Sequence, residues 1–292
     1  MRAAWVLLFG LVLVAGAESG AASSEVVIST GKRGGSYYGI GLRLQTELRL
    51  DHEREVFVAT SEGSLENLAR LDDPQSKVNV ALTQADALKR YLGDHPEFAE
   101  EYLVLADLGR ECVFIVAARE GPIESAADLK KAGGHQISVD APTSGAAVTW
   151  ENMTRLEPSF GNTSPVFVDF MEAMLQIKAG GEFSPLKAAM FVQRPRQRSP
   201  AAVLAYEHPG DYRFVRIEST DVSGDLLPDG SAVYTFERVT LGGKSRKQPI
   251  EVETLCTRGL MLAAKSKLSA DLRGLLAKVM LEESGDIVGA DE

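Results

Sequence analysis

Cysteine and histidine are scarce in this sequence, and their scarcity excludes several kinds of chemistry. The 292 residues include 2 cysteines and 4 histidines. Two cysteines are too few for a disulfide-stapled miniprotein or a four-cysteine zinc site. The histidines stand at 52, 95, 135 and 208, so no HExxH metal motif can form. No GxSxG nucleophile elbow is present. Gly39-Ile40-Gly41 lies within helical periodicity and lacks the third glycine of a dinucleotide fingerprint. Gly243-Lys244-Ser245 has Arg238 where a phosphate-binding loop needs glycine. The sequence therefore offers no catalytic residue and no cofactor motif, which favours a binding protein over an enzyme. Positive charge is short as well, with 31 Lys and Arg against 41 Asp and Glu, a net charge of −10. Phosphate backbones and anionic lipids reward an excess of positive charge, so nucleic acid and membrane surfaces are poor partners.

Apolar residues make up 45% of the chain and charged residues 25%, an ordinary globular composition. The N-terminus departs from that average. Arg2 precedes an apolar run from Ala3 to Ala15, and Ala15-Gly16-Ala17 supplies a small-x-small cleavage signal. That layout is a secretory signal peptide over residues 1–17, because the run is shorter than the roughly 20 residues of a membrane span. No later apolar stretch approaches spanning length, and no cysteine follows the run to carry a lipid. Cleavage after Ala17 leaves 275 residues with a charge of −11. The expected product is an exported, acidic chain of about two domains. In an oxidising compartment Cys112 and Cys256, both in strand-like segments, either pair or remain two buried thiols.

Short apolar runs alternate with helical periodicity over most of the length. Strands are expected at 26–29, 55–59, 78–82, 103–106, 112–118, 136–139, 166–168 and 188–192. Helices are expected at 36–50, 64–71, 85–92, 125–131, 145–156 and 170–179. After residue 213 the pattern turns to strands at 214–217, 233–238 and 252–264, with a last helix at 269–281. Residues 284–292 show no apolar face and are expected to fray. Strand–helix alternation of this kind predicts an α/β fold with largely parallel sheets.

Four polar corners each follow a predicted strand. They are Thr30-Gly-Lys-Arg33-Gly-Gly-Ser36-Tyr37, Thr60-Ser-Glu-Gly-Ser64-Leu-Glu-Asn67, Thr83-Gln84-Ala-Asp86 and Ala141-Pro-Thr143-Ser144-Gly145. Glycine lets a ligand approach the backbone, free N–H groups at a helix start attract an anion, and Arg33 can grip a carboxylate with two bonds. Each corner alone is an ordinary helix start. Together they suit one cleft, because ligands of open α/β sheets bind beyond the carboxyl ends of the strands.

At these corners the sequence resembles the TAXI family of solute-binding proteins, which serve TRAP-type transporters. The resemblance is carried by ISTGKRGGSYYGIG, by Gly63-Ser64-Leu65-Glu66-Asn67 and by Leu82-Thr83-Gln84-Ala85-Asp86. Ser125–Lys130 and the corner Ala141–Gly145 extend it. It implies a two-lobed periplasmic-binding-protein fold of the second structural type, hinged on crossing strands. Lobe one would comprise 25–118 with 247–292, and lobe two 119–246. Cys112 and Cys256 then fall near the crossings, where a disulfide is expected. The implied ligand is a small carboxylate such as glutamate or a dicarboxylate. It would be held by Ser36, Tyr37, Ser64, Asn67, Gln84, Thr143 and Ser144, to which the residue pattern adds Arg33, with no cofactor and no metal. The implied partners are the membrane subunits of the transporter or, on the same fold, a signalling receptor, in the periplasm. Two segments depart from the family pattern. Lys32-Arg33 replaces small residues in the opening turn, and Gln193-Arg-Pro-Arg-Gln-Arg198 replaces a small turn. The second is either a basic loop facing solvent, which is the expectation, or three arginines facing the cleft to meet a more highly charged anion.

Overall fold

The computed structural model describes residues 25–180, 184–218, 222, 224–241 and 250–289. The leader at 1–17 and the turn at 242–249 lie outside them. The chain opens with β1 (Val26–Ser29), α1 (Ser36–His52), β2 (Val56–Ala59), α2 (Ser64–Asp72), β3 (Val80–Gln84) and α3 (Ala85–Asp94). A long strand, β4 (Tyr102–Ala118), leads to α4 (Ala126–Leu129), β5 (Gln136–Ser138), α5 (Gly145–Leu156), β6 (Ser164–Val166), α6 (Phe170–Gly180) and β7 (Leu186–Gln193). Then come α7 (Pro200–Glu207), β8 (Tyr212–Val215), β9 (Thr235–Leu241), a second long strand β10 (Ile250–Ala264), α8 (Ala270–Glu282) and α9 (Ser284–Val288).

The strand order β2-β1-β3-β10-β4-β7-β5-β6 splits into two lobes around the long pair. In the first lobe β1 pairs in parallel with β2 and β3, and Gly259–Ala263 of β10 closes antiparallel on β3. In the second, β5 pairs in parallel with β6 and β7, and residues 112–117 of β4 run antiparallel to β7. β4 and β10 therefore serve both lobes. At their centre Cys112 faces Cys256 in register and the two form a disulfide.

Residue spacing explains the packing. On α1, Ile40, Gly41, Leu44 and Leu48 are buried at helical intervals. A Cβ at Gly41 would lie 2.8 Å from the Thr30 methyl, so glycine lets the helix settle onto the strand end. All five residues of β3 are buried. Leu272, Leu276, Val279 and Met280 turn α8 onto the same core as Ile28, Leu82 and Met261. A second core runs across both lobes, from Leu68 and Leu88 to Trp150 and Met153.

Four expectations change. The sheet is mixed rather than largely parallel, because the long strands β4 and β10 run antiparallel to each other, β10 also to β3 and β9, and β4 also to β7 and β8. The two strands expected at 103–106 and 112–118 are one strand, because Asp107-Leu-Gly109 is a bulge rather than a turn. Gly109 takes φ 86°, its N–H meets Asp107 Oδ1 at 2.8 Å, and the register with β10 shifts there. Helix α7 was not expected, although Ser199 caps it and Pro200 fills its first position. The tail does not fray over Ser284–Val288: Ile287 and Val288 are buried, and the Arg194 guanidinium donates to the Val288 and Gly289 carbonyls.

Candidate functional site

A cavity of about 290 Å³ lies between the lobes. The end of β1 opens into a turn in which Gly34 takes φ 85°, and Gly35 begins α1 with no side chain capping it. The end of β2 leads to Gly63 at φ 151°, which begins α2, again with no side-chain cap. Both helix starts line the cavity through Gly35, Ser36 and Tyr37 and through Gly63 and Ser64. Uncapped N–H groups at a helix start, with the helix dipole behind them, form a ready site for an anion.

The second lobe supplies the facing wall. Ser144 starts α5, accepts from the Ala147 N–H at 3.1 Å and donates to the Val139 carbonyl at 2.8 Å. Gly145 and Ala146 line the cavity beside it, and Phe170, Met190, Phe191 and Val192 give an apolar side. The lobes touch here. A Cβ on Gly63 would lie 2.6 Å from the Thr143 carbonyl oxygen, and one on Gly145 would lie 2.0 Å from Gln84 Oε1. Across the rim the Lys32 ammonium meets Asp140 at 2.9 Å and Glu62 at 3.5 Å. That pairing outweighs the partial burial of Lys32 and holds its pKa above the ordinary value.

The expected site residues divide into two sets. Ser36, Tyr37, Ser64, Gln84 and Ser144 line the cavity. Asn67, Thr143 and Arg33 do not. The Asn67 side chain is wholly buried and ties the corner together, donating to the Leu82 carbonyl at 2.7 Å and to the Thr30 carbonyl, and accepting from Ser29 Oγ at 2.6 Å. Thr143 meets Gly63 through its backbone. Arg33 is exposed and borders a separate depression with Glu66 and Arg70. The segment Gln193–Arg198 is not simply a loop facing solvent. Gln193 and Gln197 line the cavity, Arg194 reaches the tail, and Arg196 and Arg198 are exposed, with Arg198 3.8 Å from Glu207.

Sequence reasoning missed Glu111. It lines the cavity from the middle of β4, is 5% exposed, and accepts from the Tyr37 hydroxyl at 2.9 Å. Burial pushes its carboxyl up to about 7. Donation from Tyr37 and Gln84 and the charge of Arg194 pull the other way, while the nearby Asp86 adds to the rise. Burial and the Glu111 charge push the Tyr37 hydroxyl well above its ordinary range. Asp86 is also fully buried, and desolvation raises its pKa against the bonds it accepts from Thr149, Tyr234 and the Ala87 N–H. The available signal was an acid placed beside the otherwise apolar run Cys112–Ala118. Among the described residues, no group of three His, Cys, Asp or Glu is arranged to hold a metal ion. No described helix is long and apolar enough to cross a membrane.

Solved structures share this architecture. XAC2383 from Xanthomonas citri bound to ATP superposes with a TM-score of 0.55 at 10% identity, over 91% of this chain and 89% of that one. Iron-bound HitA from Pseudomonas aeruginosa gives 0.52 at 13% identity, over 91% and 84%. The periplasmic aliphatic sulphonate binding protein SsuA from Escherichia coli gives 0.50 at 16% identity, over 91% and 73%. The fold is that of the type II periplasmic binding proteins. Residues 28–291 match the NMT1-like family, to which the chain therefore belongs.

Proposed function

We propose that the chain is an exported, non-catalytic binding protein that captures a small carboxylate between its lobes. It delivers that solute to the membrane subunits of a TRAP-type transporter in the periplasm. Lobe one is 25–118 with 247–292, and lobe two is 119–246, except that residues 112–118 of β4 and 250–256 of β10 pair within the sheet of lobe two, with the disulfide where the lobes cross. The observation that carries this reading is the pair of uncapped helix starts, α1 at Gly35 and α2 at Gly63, opening on one cavity. Ser36 and Ser64 present backbone N–H groups to the carboxylate, Tyr37 and Gln84 orient the rest of the solute, and Ser144 closes from the other lobe. Arg33 and Thr143 stand outside the lining, and Asn67 ties the second corner together. The motifs of the four corners support the transporter class, and membership in a family that shares the fold of solute-binding proteins supports the binding role.

Thermal melting against mono- and dicarboxylates, amino acids, sugars and metal cations tests the reading. A carboxylate at about a hundred times its dissociation constant stabilises the fold by roughly 2.7 kcal/mol, a shift of several degrees. Gln84→Ala shrinks that shift. A response to sugars or metal cations alone would sink the proposal. Delivery is checked by uptake of the bound solute into cells with and without this gene.

A further inference from the structure

Beside the donors of the helix starts, the lining of the cavity carries a buried carboxyl, Glu111. It has only neutral donors on it, the Tyr37 hydroxyl at 2.9 Å and the Gln84 side chain. Gln84 is 2% exposed and its Oε1 has no hydrogen-bond partner among the described residues, an uncommon state for a buried acceptor. Asp86, two residues further on, is wholly buried and is likewise held by neutral donors. These are Thr149 Oγ1 at 2.5 Å, the Tyr234 hydroxyl at 2.8 Å and the Ala87 N–H at 2.8 Å. Arg194 acts on Glu111 only through its charge, while its guanidinium donates to the Val288 and Gly289 carbonyls. Glu111 and the unpartnered amide oxygen of Gln84 thus lie beside the backbone donors of the helix starts: Tyr37 is the second residue of α1, and the Gln84 N–H donates to Ser64 Oγ, at the start of α2, at 3.3 Å.

A second carboxylate beside Glu111 would meet it in a poorly solvated site, where like charges repel strongly. A protonated amine there has the opposite effect. It supplies the missing donor and a charge of opposite sign, and such charge-assisted bonds are the strong ones. We propose that Glu111, set by Tyr37 and Gln84, is a specificity-determining residue that selects a solute carrying a protonated amine beside its carboxylate, so that zwitterions are captured in preference to simple carboxylates. This rests on the capture of a carboxylate at the starts of α1 and α2. Gly145 contributes by lacking a side chain, since a Cβ there would occupy the space of Gln84 Oε1.

The test is calorimetric titration of the purified protein at one pH with matched probes: succinate, malate and aspartate, then glutarate and glutamate. The amine-bearing member of each set is expected to bind at least about tenfold tighter than its amine-free partner, the net worth of one charge-assisted hydrogen bond. Malate, with a neutral donor, falls between succinate and aspartate. Glu111→Gln is expected to bring the ratio to within about twofold, and Glu111→Asp, which keeps the charge, to restore part of it. Melting curves confirm that both variants fold. Equal or tighter binding of the amine-free partners, or a ratio unchanged in Glu111→Gln, would overturn the specificity role and leave carboxylate capture standing. No binding by any of the five would overturn capture and the specificity role with it.

Discussion

On the first-lobe wall of the cavity, α1 and α2 begin at Gly35 and Gly63 with no side chain on their N–H groups. On the second-lobe wall, α5 and α7 begin at Ser144 and Ser199, whose hydroxyls accept from the Ala147 and Ala202 N–H groups at 3.1 Å each. A serine cap contributes about 1 kcal/mol to a helix and removes a donor from the reach of any ligand. The second wall is thus complete in itself, while the first leaves donors for a partner to satisfy. Binding capacity and self-sufficiency are divided between the lobes. The lining adds a third character, the buried acceptors Glu111 and Gln84 Oε1, with Arg194 acting on Glu111 through its charge.

The largest expected effect comes from separating the walls at their shared strands. Cys112 and Cys256 close a loop spanning a sequence separation of 144. Replacing both by serine removes up to about 5 kcal/mol of chain-entropy stabilisation. Denaturant unfolding measures the loss, and thiol counting on unreduced, denatured protein is expected to find none free.

Next in size is a gain. Glu111 titrates at about 7 in the fold against an ordinary 4.5, so the folded protein holds a proton that the unfolded chain has released between those values. Stability from this group therefore falls as pH rises from about 4.5 to about 7 and is level above. Glu111→Gln removes the fall, making the ligand-free protein more stable at pH 8 by up to about 3 kcal/mol and no more stable below pH 4.5. Melting across pH checks the sign. A variant less stable at pH 8 would mean that the carboxylate is not strained by its burial.

Gly63→Ala breaks the contact between the walls. Its φ of 151° is a glycine conformation, and the added Cβ would lie 2.6 Å from the Thr143 oxygen. A cost of about 1–3 kcal/mol is expected, with loss of the ligand-induced melting shift.

The smallest change in stability, within about 1 kcal/mol, is expected of Gly35→Asp, which gives the first wall a cap of its own. Its Cβ is 3.0 Å from the Lys32 oxygen, which offsets part of the gain. The carboxylate would occupy the helix start from within, so the response to added carboxylates is expected to vanish although the fold persists.

The fold was legible in the alternation of strand and helix, and much of the cavity in the polar corners, because glycine and serine at a strand end advertise a helix start. Asn67 was misleading, since an asparagine that ties three backbone segments together has the same sequence signature as one that faces a ligand. Gly109 hid the continuity of β4, for a glycine in a bulge reads as a turn. The short α9 went unseen because Ile287 and Val288 are too few to give a period. Glu111 was not legible as a site residue. It belongs to no motif, and only the crossing of β4 with β10 brings it beneath Tyr37 of α1.

The most direct measurement is a crystal structure with the tightest-binding carboxylate of the titrations. Its carboxylate is expected about 2.7–3.2 Å from backbone N–H groups in the first turns of α1 and α2, after Gly35 and Gly63. A carboxylate seated instead in the depression beside Arg33 and Arg70, or turned toward Glu111 with the helix starts unengaged, would contradict capture at the uncapped wall.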